Sequence, residues 1–187
     1  MRFFRPFAVI LLGLVAGCGG IDTQIPLPEA STSLRLRPLV SSIEVRDMSL
    51  PRYADADEIV LLNEDGGLET LSGNLWADTP SRASTYALAD ALGTITGARV
   101  AAEPWPFTDS PAAQVQVRVS QMHGDASGVF RLKGQYAISP VASGLADRSG
   151  QFDITTPLTG DTPHAVAQAQ SRAITELAET IARRIAR

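Results

Sequence analysis

The chain has a single cysteine, Cys18, in 187 residues. That excludes an internal disulfide and any cysteine-clustered metal site. Histidine is nearly as scarce. His123 and His164 stand alone, with no ligand spacing around either, so no metal centre is expected. Lysine occurs once, as Lys133, and the other basic residues are arginines. Acids outnumber bases 20 to 16, for a net charge of −4. No basic stripe is present, which argues against nucleic acid as a partner. The chain has no GxxxxGKS/T or GxGxxG phosphate loop and no nucleophile elbow. No catalytic, cofactor-binding or metal-ligating set is therefore expected, and no cofactor. The apolar run at 7–15 is too short to cross a bilayer, which takes about 20 such residues.

That run is nonetheless the most informative stretch. Arg2 and Arg5 precede it, and the small residues Ala16 and Gly17 lead from it into Cys18. A positive end, a short apolar segment and a small-residue cleavage site read as an export signal spanning 1–17. The ending Leu14-Val15-Ala16-Gly17-Cys18 resembles a bacterial lipobox, which implies cleavage before Cys18 and a lipid on its sulfur. Thioether formation needs a soft nucleophile, and thiolate sulfur is one. A plain secretory signal with an incidental cysteine is the bland alternative, but an unpaired cysteine in an exported chain calls for a use. Cleavage would leave 14 bases against 20 acids, a mildly acidic domain held to the membrane by its lipid. Two or three acyl chains suffice for stable anchoring. Residues 18–33 carry Gly19, Gly20, Pro26, Pro28 and Ser31-Thr32-Ser33, and read as a flexible tether. As coil it would hold the domain about 20 Å from the bilayer.

The folded domain is expected over 34–187. Leu34 and Leu36 alternate with Arg35 and Arg37, and Ile43 and Val45 alternate with Glu44 and Arg46, giving one broken strand or two short ones. The apolar run 59–62, the turn Asn63-Glu64-Asp65-Gly66-Gly67 and the segment 68–71 make a hairpin. Thr79-Pro80 opens a helix that Gly97 stops. A short strand follows at 100–103. Val115, Val117 and Val119 alternate with polar residues, and a turn at 123–128 returns a partner strand at 129–138. Gly134 on the apolar face of that partner marks a bulge or a close helix contact. The segment 151–156 reads as an edge strand. Thr162-Pro163 opens the last helix, with Val166, Ala169, Ala173, Ile174, Leu177, Ile181 and Ile185 at helical spacing. Strands with one apolar face need a cover. The expectation is a single α+β domain, a mainly antiparallel sheet with two helices on one face.

Few side chains invite a chemical reading. Asp55, Asp57 and Glu58 match no calcium-loop spacing and read as a solvated loop. Trp76 and Trp105 border predicted elements, where a ring more often closes the core than stacks on a ligand. Hydrolysis would require scattered residues such as Ser81 and His123 to converge.

The order of motifs adds a resemblance. After the lipobox come Ile-Glu-Val-Arg-Asp-Met-Ser-Leu-Pro-Arg-Tyr at 43–53, Glu-Ile-Val-Leu at 58–61, and Leu-Trp-Ala-Asp at 75–78 before a helix. The 115–138 hairpin and a C-terminal helix complete it. This arrangement resembles the ABC-type transport auxiliary lipoproteins, the PqiC-like family. The resemblance implies a non-catalytic periplasmic subunit, lipidated at Cys18, that works with an MCE-type protein in lipid transport between membranes. It implies a domain like the N-terminal domain of the Tol-system propeller protein, and it leaves room for a homo-oligomer. Gly19 after the cysteine is compatible with outer-membrane sorting. The alternative is a stand-alone outer-membrane lipoprotein that binds a lipid or another small molecule in an apolar cavity.

Overall fold

The computed structural model describes residues 22–29, 31–144 and 146–186. In chain order the elements are β1 (Thr23–Ile25), β2 (Ser42–Val45), β3 (Glu58–Leu62), β4 (Leu68–Trp76), α1 (Pro80–Thr96), β5 (Arg99–Ala102), β6 (Ala113–Asp125), β7 (Val129–Pro140), β8 (Arg148–Pro157) and α2 (Pro163–Ile185). The strands form one eight-stranded sheet.

Strand β6 is its spine. Along one edge β6 pairs with β7 through almost its whole length, and β8 lies beyond β7. Its other edge is shared. β2 takes the N-terminal part, where Val45 faces Val115, and β3 takes the C-terminal part, where Leu61 faces Gly124. Residues 46–49 stitch the interval. The Ser49 amide donates to Val117 and the Ser49 carbonyl accepts from Val119. β5 continues outward from β2, and β4 and then β1 continue from β3.

The α+β class and the two helices are as read from the sequence, but the sheet is mixed rather than mainly antiparallel. β1–β4, β2–β5, β2–β6 and β3–β6 are parallel, and only β3–β4, β6–β7 and β7–β8 are antiparallel. The three antiparallel pairs join neighbours in sequence. The parallel pairs join segments far apart, which alternation along one strand does not encode.

Both helices pack against each other and against the same face of the sheet. In α1 that burial is supplied by Leu88, Leu92 and Ile95, and in α2 by Val166, Ala169, Ala173, Ile174, Leu177, Ile181 and Ile185. Each large aliphatic side chain sealed this way contributes about 1.5–3 kcal/mol. From the sheet come Val115, Val117, Leu132, Ile138 and Phe130. A bulge between Val119 and Gln121 changes which residues of β6 face inward. Before it the odd positions are buried, and after it Met122 and Gly124 are. Gly134, opposite Val119, belongs to the same irregularity. A Cβ there would lie 2.2 Å from the Arg118 carbonyl oxygen and 2.8 Å from the Phe152 ring. The close approach is to the adjoining strands.

The helix ends follow the sequence signals with one substitution. Thr162 accepts from the Ala165 amide and caps α2, but Thr79 makes no such bond in α1. The Asp55 carboxylate takes that role and accepts from the Ser81 amide at 3.0 Å. Gly97 closes α1 in the left-handed region at φ 65°, its amide bonded to the Gly93 carbonyl.

Two expectations near the N-terminal end are corrected. Residues 34–37 do not join a ladder. Leu34 and Leu36 pack on the core, and the Leu36 amide donates to the Ile95 carbonyl at the end of α1. The stretch read as tether is largely part of the fold. β1 lies beside β4, Ile25 is buried, the Ser171 hydroxyl donates to the Pro28 carbonyl at 2.6 Å, and Thr32 donates to Glu179 at 2.6 Å. The proline and glycine content of 18–33 hid a three-residue strand whose partner is fifty positions away. The predicted signal at 1–17 and Cys18 lie outside the described residues.

Candidate functional site

With both helices on one face, no element among the described residues covers the opposite face of the β6–β7–β8 sheet. Its outward side chains alternate along each strand with the buried ones. On β6 they are Gln116, Arg118 and Ser120, on β7 Arg131, Lys133 and Gln135, and on β8 Gln151 and Asp153. Register sets them side by side. Arg118 is opposite Gln135, Gln135 opposite Gln151, and Lys133 opposite Asp153. Around the bulge this face dips into a shallow, open depression of about 680 Å³, bordered by Arg118, Ser120, Lys133, Gln135, Gln151 and Asp153.

The electrostatics of this face run against those of the chain. Three cations meet one carboxylate. Arg131 lies 3.2 Å and Lys133 3.7 Å from the Asp153 oxygen. Arg118 has no side-chain hydrogen bond or ion pair among the described residues. All four groups are solvated, so these pairs add little to stability. They do leave a local positive excess on an acidic protein.

Further along the same face the sheet is covered. The segment 103–112 folds over β2, and its Trp105 amide donates to the Glu44 carboxylate, which also accepts from Gln114. Glu44 is thereby buried on the outer side of its strand. Trp105 packs edge-on to Phe107, and the Arg99 guanidinium sits 4.5 Å from the Phe107 ring while pairing with Asp109. Trp105 thus shields a polar strand face, whereas Trp76 packs at the margin of the core. At the next position Glu103 pairs with Arg46 at 2.8 Å. Burial pushes the Glu103 carboxyl up. The Arg46 bond and the Asp47 amide outweigh it and hold it below the usual carboxylate range.

The remaining singled-out residues do not converge. Asp55 is spent on the start of α1, the Asp57 carbonyl accepts from the Trp76 amide, and Glu58 is exposed at the head of β3. His123 lies within β6, 6.3 Å from the Tyr53 ring, and His164 is exposed in the first turn of α2. The expected turn at 123–128 is shorter, because β6 runs on to Asp125. Among the described residues, no group of three or more His, Cys, Asp and Glu side chains is placed to hold a metal ion. A small pocket between Tyr53, Trp76, Met122 and Phe130 measures about 10 Å³, room for about one water. No helix among the described residues is long and apolar enough to cross a membrane.

Sequence reasoning found the strands of the open face but not the face itself. The bulge that dips it and the burial of Glu44 depend on segments meeting across the sheet. The cue available was the polar half of each alternation, which holds glutamine, arginine and lysine and no large apolar residue at 116, 118, 133 and 135.

Solved structures share this fold. A crystal structure of an uncharacterized protein superposes with a TM-score of 0.71 at 18% identity, covering 88% of this chain and 98% of the other. A crystal structure of a protein from Xanthomonas campestris gives 0.62 at 17% identity, covering 85% and 92%. At such identities the likeness is one of fold. No functionally curated protein matches the sequence. The ABC-type transport auxiliary lipoprotein component family matches residues 24–182, which takes in every strand but the first residue of β1 and nearly all of α2. The chain belongs to that family of transport-associated lipoproteins.

Proposed function

We propose that this protein is a non-catalytic, periplasm-facing subunit of an MCE/ABC-type lipid transport system that works between membranes. In this reading residues 1–17 are removed on export, Cys18 carries the lipid, and the outer membrane's inner leaflet holds the anchor. The domain then docks an MCE-type partner. The observation that carries the proposal is the family match over 24–182, standing directly behind the Leu14–Cys18 motif. The open polar face supports a docking role over a solvent-excluded binding role.

The test is crosslinking in native membranes followed by affinity purification, beside a Cys18→Ser control. An MCE-type protein recovered with the wild type, and reduced when the anchor is lost, is the expected outcome. Recovery of lipid with no protein partner would move the function to a stand-alone lipid-binding lipoprotein.

A further inference from the structure

We propose that the open face of β6–β8, together with the unpaired edge of β8, is a docking site for an extended acidic segment of a partner protein. Two independent features point there. The first is the edge. β8 pairs with β7 on one side, and among the described residues no strand pairs with its other side. Residues 149–155 thus present a row of main-chain donors and acceptors, the Pro157 carbonyl beyond them being taken by the Arg172 guanidinium. Exposed edges are ordinarily blunted by lysine, proline or a bulge. This one has no lysine, its charged residues are Arg148 and Asp153, and its only proline, Pro157, is its last residue. The second feature is the charge of the adjoining face. Arg118, Arg131 and Lys133 stand against Asp153 alone, on a chain of net charge −4.

Together these define the occupant. A segment added to β8 gains main-chain hydrogen bonds, and its alternate side chains project over the same face as Lys133 and Arg131. On that face the segment would flank Asp153, and the cations its carboxylates can reach are Lys133 and Arg131, two spacings away at about 10 Å, while Arg118 lies three away. A bilayer is the poorer fit. The strand order places β6, β7 and β8 three to five spacings from β1, on the order of 15–25 Å from the end of the fold that leads to Cys18. A second copy pairing β8 with β8 would add no carboxylate beyond Asp153.

The inference deepens the transport-subunit reading by naming a surface, but its test needs no transporter. The full lipoprotein in neutral detergent is titrated with a fluorescent octapeptide of alternating glutamate and valine. The matching lysine–valine peptide and vesicles containing phosphatidylglycerol are the comparisons. The acidic peptide is expected to bind saturably, more weakly as salt rises. Affinity is expected to fall at least tenfold in the double variant Arg131→Glu/Lys133→Glu and to hold in Arg52→Glu, a loop substitution elsewhere. Amide exchange is expected to slow in 149–155 when peptide is added. Thermal melting checks that the double variant is folded, and Arg131→Gln/Lys133→Gln repeats the measurement with less perturbation. Equal binding of the lysine peptide, unchanged affinity in both charge variants, or protection confined to other segments would overturn the proposal. Binding to vesicles without binding to peptide would overturn it in favour of a lipid surface. Protection of 149–155 that rises with protein concentration alone would overturn it in favour of self-pairing.

Discussion

Gly134 shows how one missing side chain sets the shape of the open face. The strand opposite it bulges, and the Arg118 carbonyl approaches to 2.2 Å from where a Cβ would lie. That atom is backbone and cannot swing away. Gly134→Ala is expected to cost about 2–3 kcal/mol, read as a lowered urea midpoint. Asp125 is the other residue whose part is specific. Its carboxylate accepts from the Ser127 amide, the Ser127 hydroxyl and the Val129 amide, closing the β6–β7 turn. Burial pushes this carboxyl up, but those three donors prevail and hold it below its ordinary value. A depressed carboxyl stabilises the fold above its unfolded pKa of about 3.9, and that contribution is lost as pH falls through the folded value. Asp125→Asn is therefore expected to lose about 1–2 kcal/mol at pH 7, with the gap to wild type closing in strongly acidic buffer. Urea titrations stepped from pH 7 down to pH 2 follow the loss through that range. The Gly134 irregularity was visible in the sequence as a glycine on an apolar stripe. The Asp125 network was not, because an acid in a turn looks the same whether or not three donors surround it.

Among elements, the two helices were the most legible. A capping residue, a proline and an unbroken apolar stripe specify α2 locally, and all seven residues of its stripe are buried. The β6–β7 hairpin was legible for the same reason, since alternation and turn lie within one stretch. β1 was not. Three residues, Thr23, Gln24 and Ile25, carry too little pattern to register, and only their place beside Asn74, Leu75 and Trp76 makes them a strand. Ile25→Ala tests whether that strand matters to the fold. With Ile25 at 1% exposure, a loss of about 2–4 kcal/mol is expected in chemical denaturation. A loss below about 0.5 kcal/mol would make β1 a passive attachment. The stretch 34–37 is the opposite case. Its alternation correctly told which side chains turn inward, yet nothing in it told that no strand would pair with it.

For the molecule as a whole, the early start of the fold changes how near the domain stands to its proposed anchor. Only residues 19–22 separate Cys18 from β1, so the span from Cys18 to Thr23 is at most about 17 Å. The longer tether expected from composition would have reached about 50 Å fully extended. If transport depends on that short leash, inserting about twenty Gly/Ser residues after Gly20 should leave lipidation and thermal stability intact. Recovery of the proposed MCE-type partner by crosslinking should nonetheless weaken. The mixed sheet belongs to this scale too. Each parallel pair unites segments that the sequence holds apart, so the arrangement of strands is a property of the assembled chain.

That arrangement also orders events in time. Among the described residues, neither strand that precedes β3 has a partner before it: β1 waits for β4, and β2 waits for β5 and β6. The earliest ladder available to a chain delivered N-terminus first is the β3–β4 hairpin. Pairings of such long sequence separation close slowly. The leading segment of a growing chain therefore stays unpaired until β4 arrives to take β1, and until β5 and the spine of the sheet arrive to take β2.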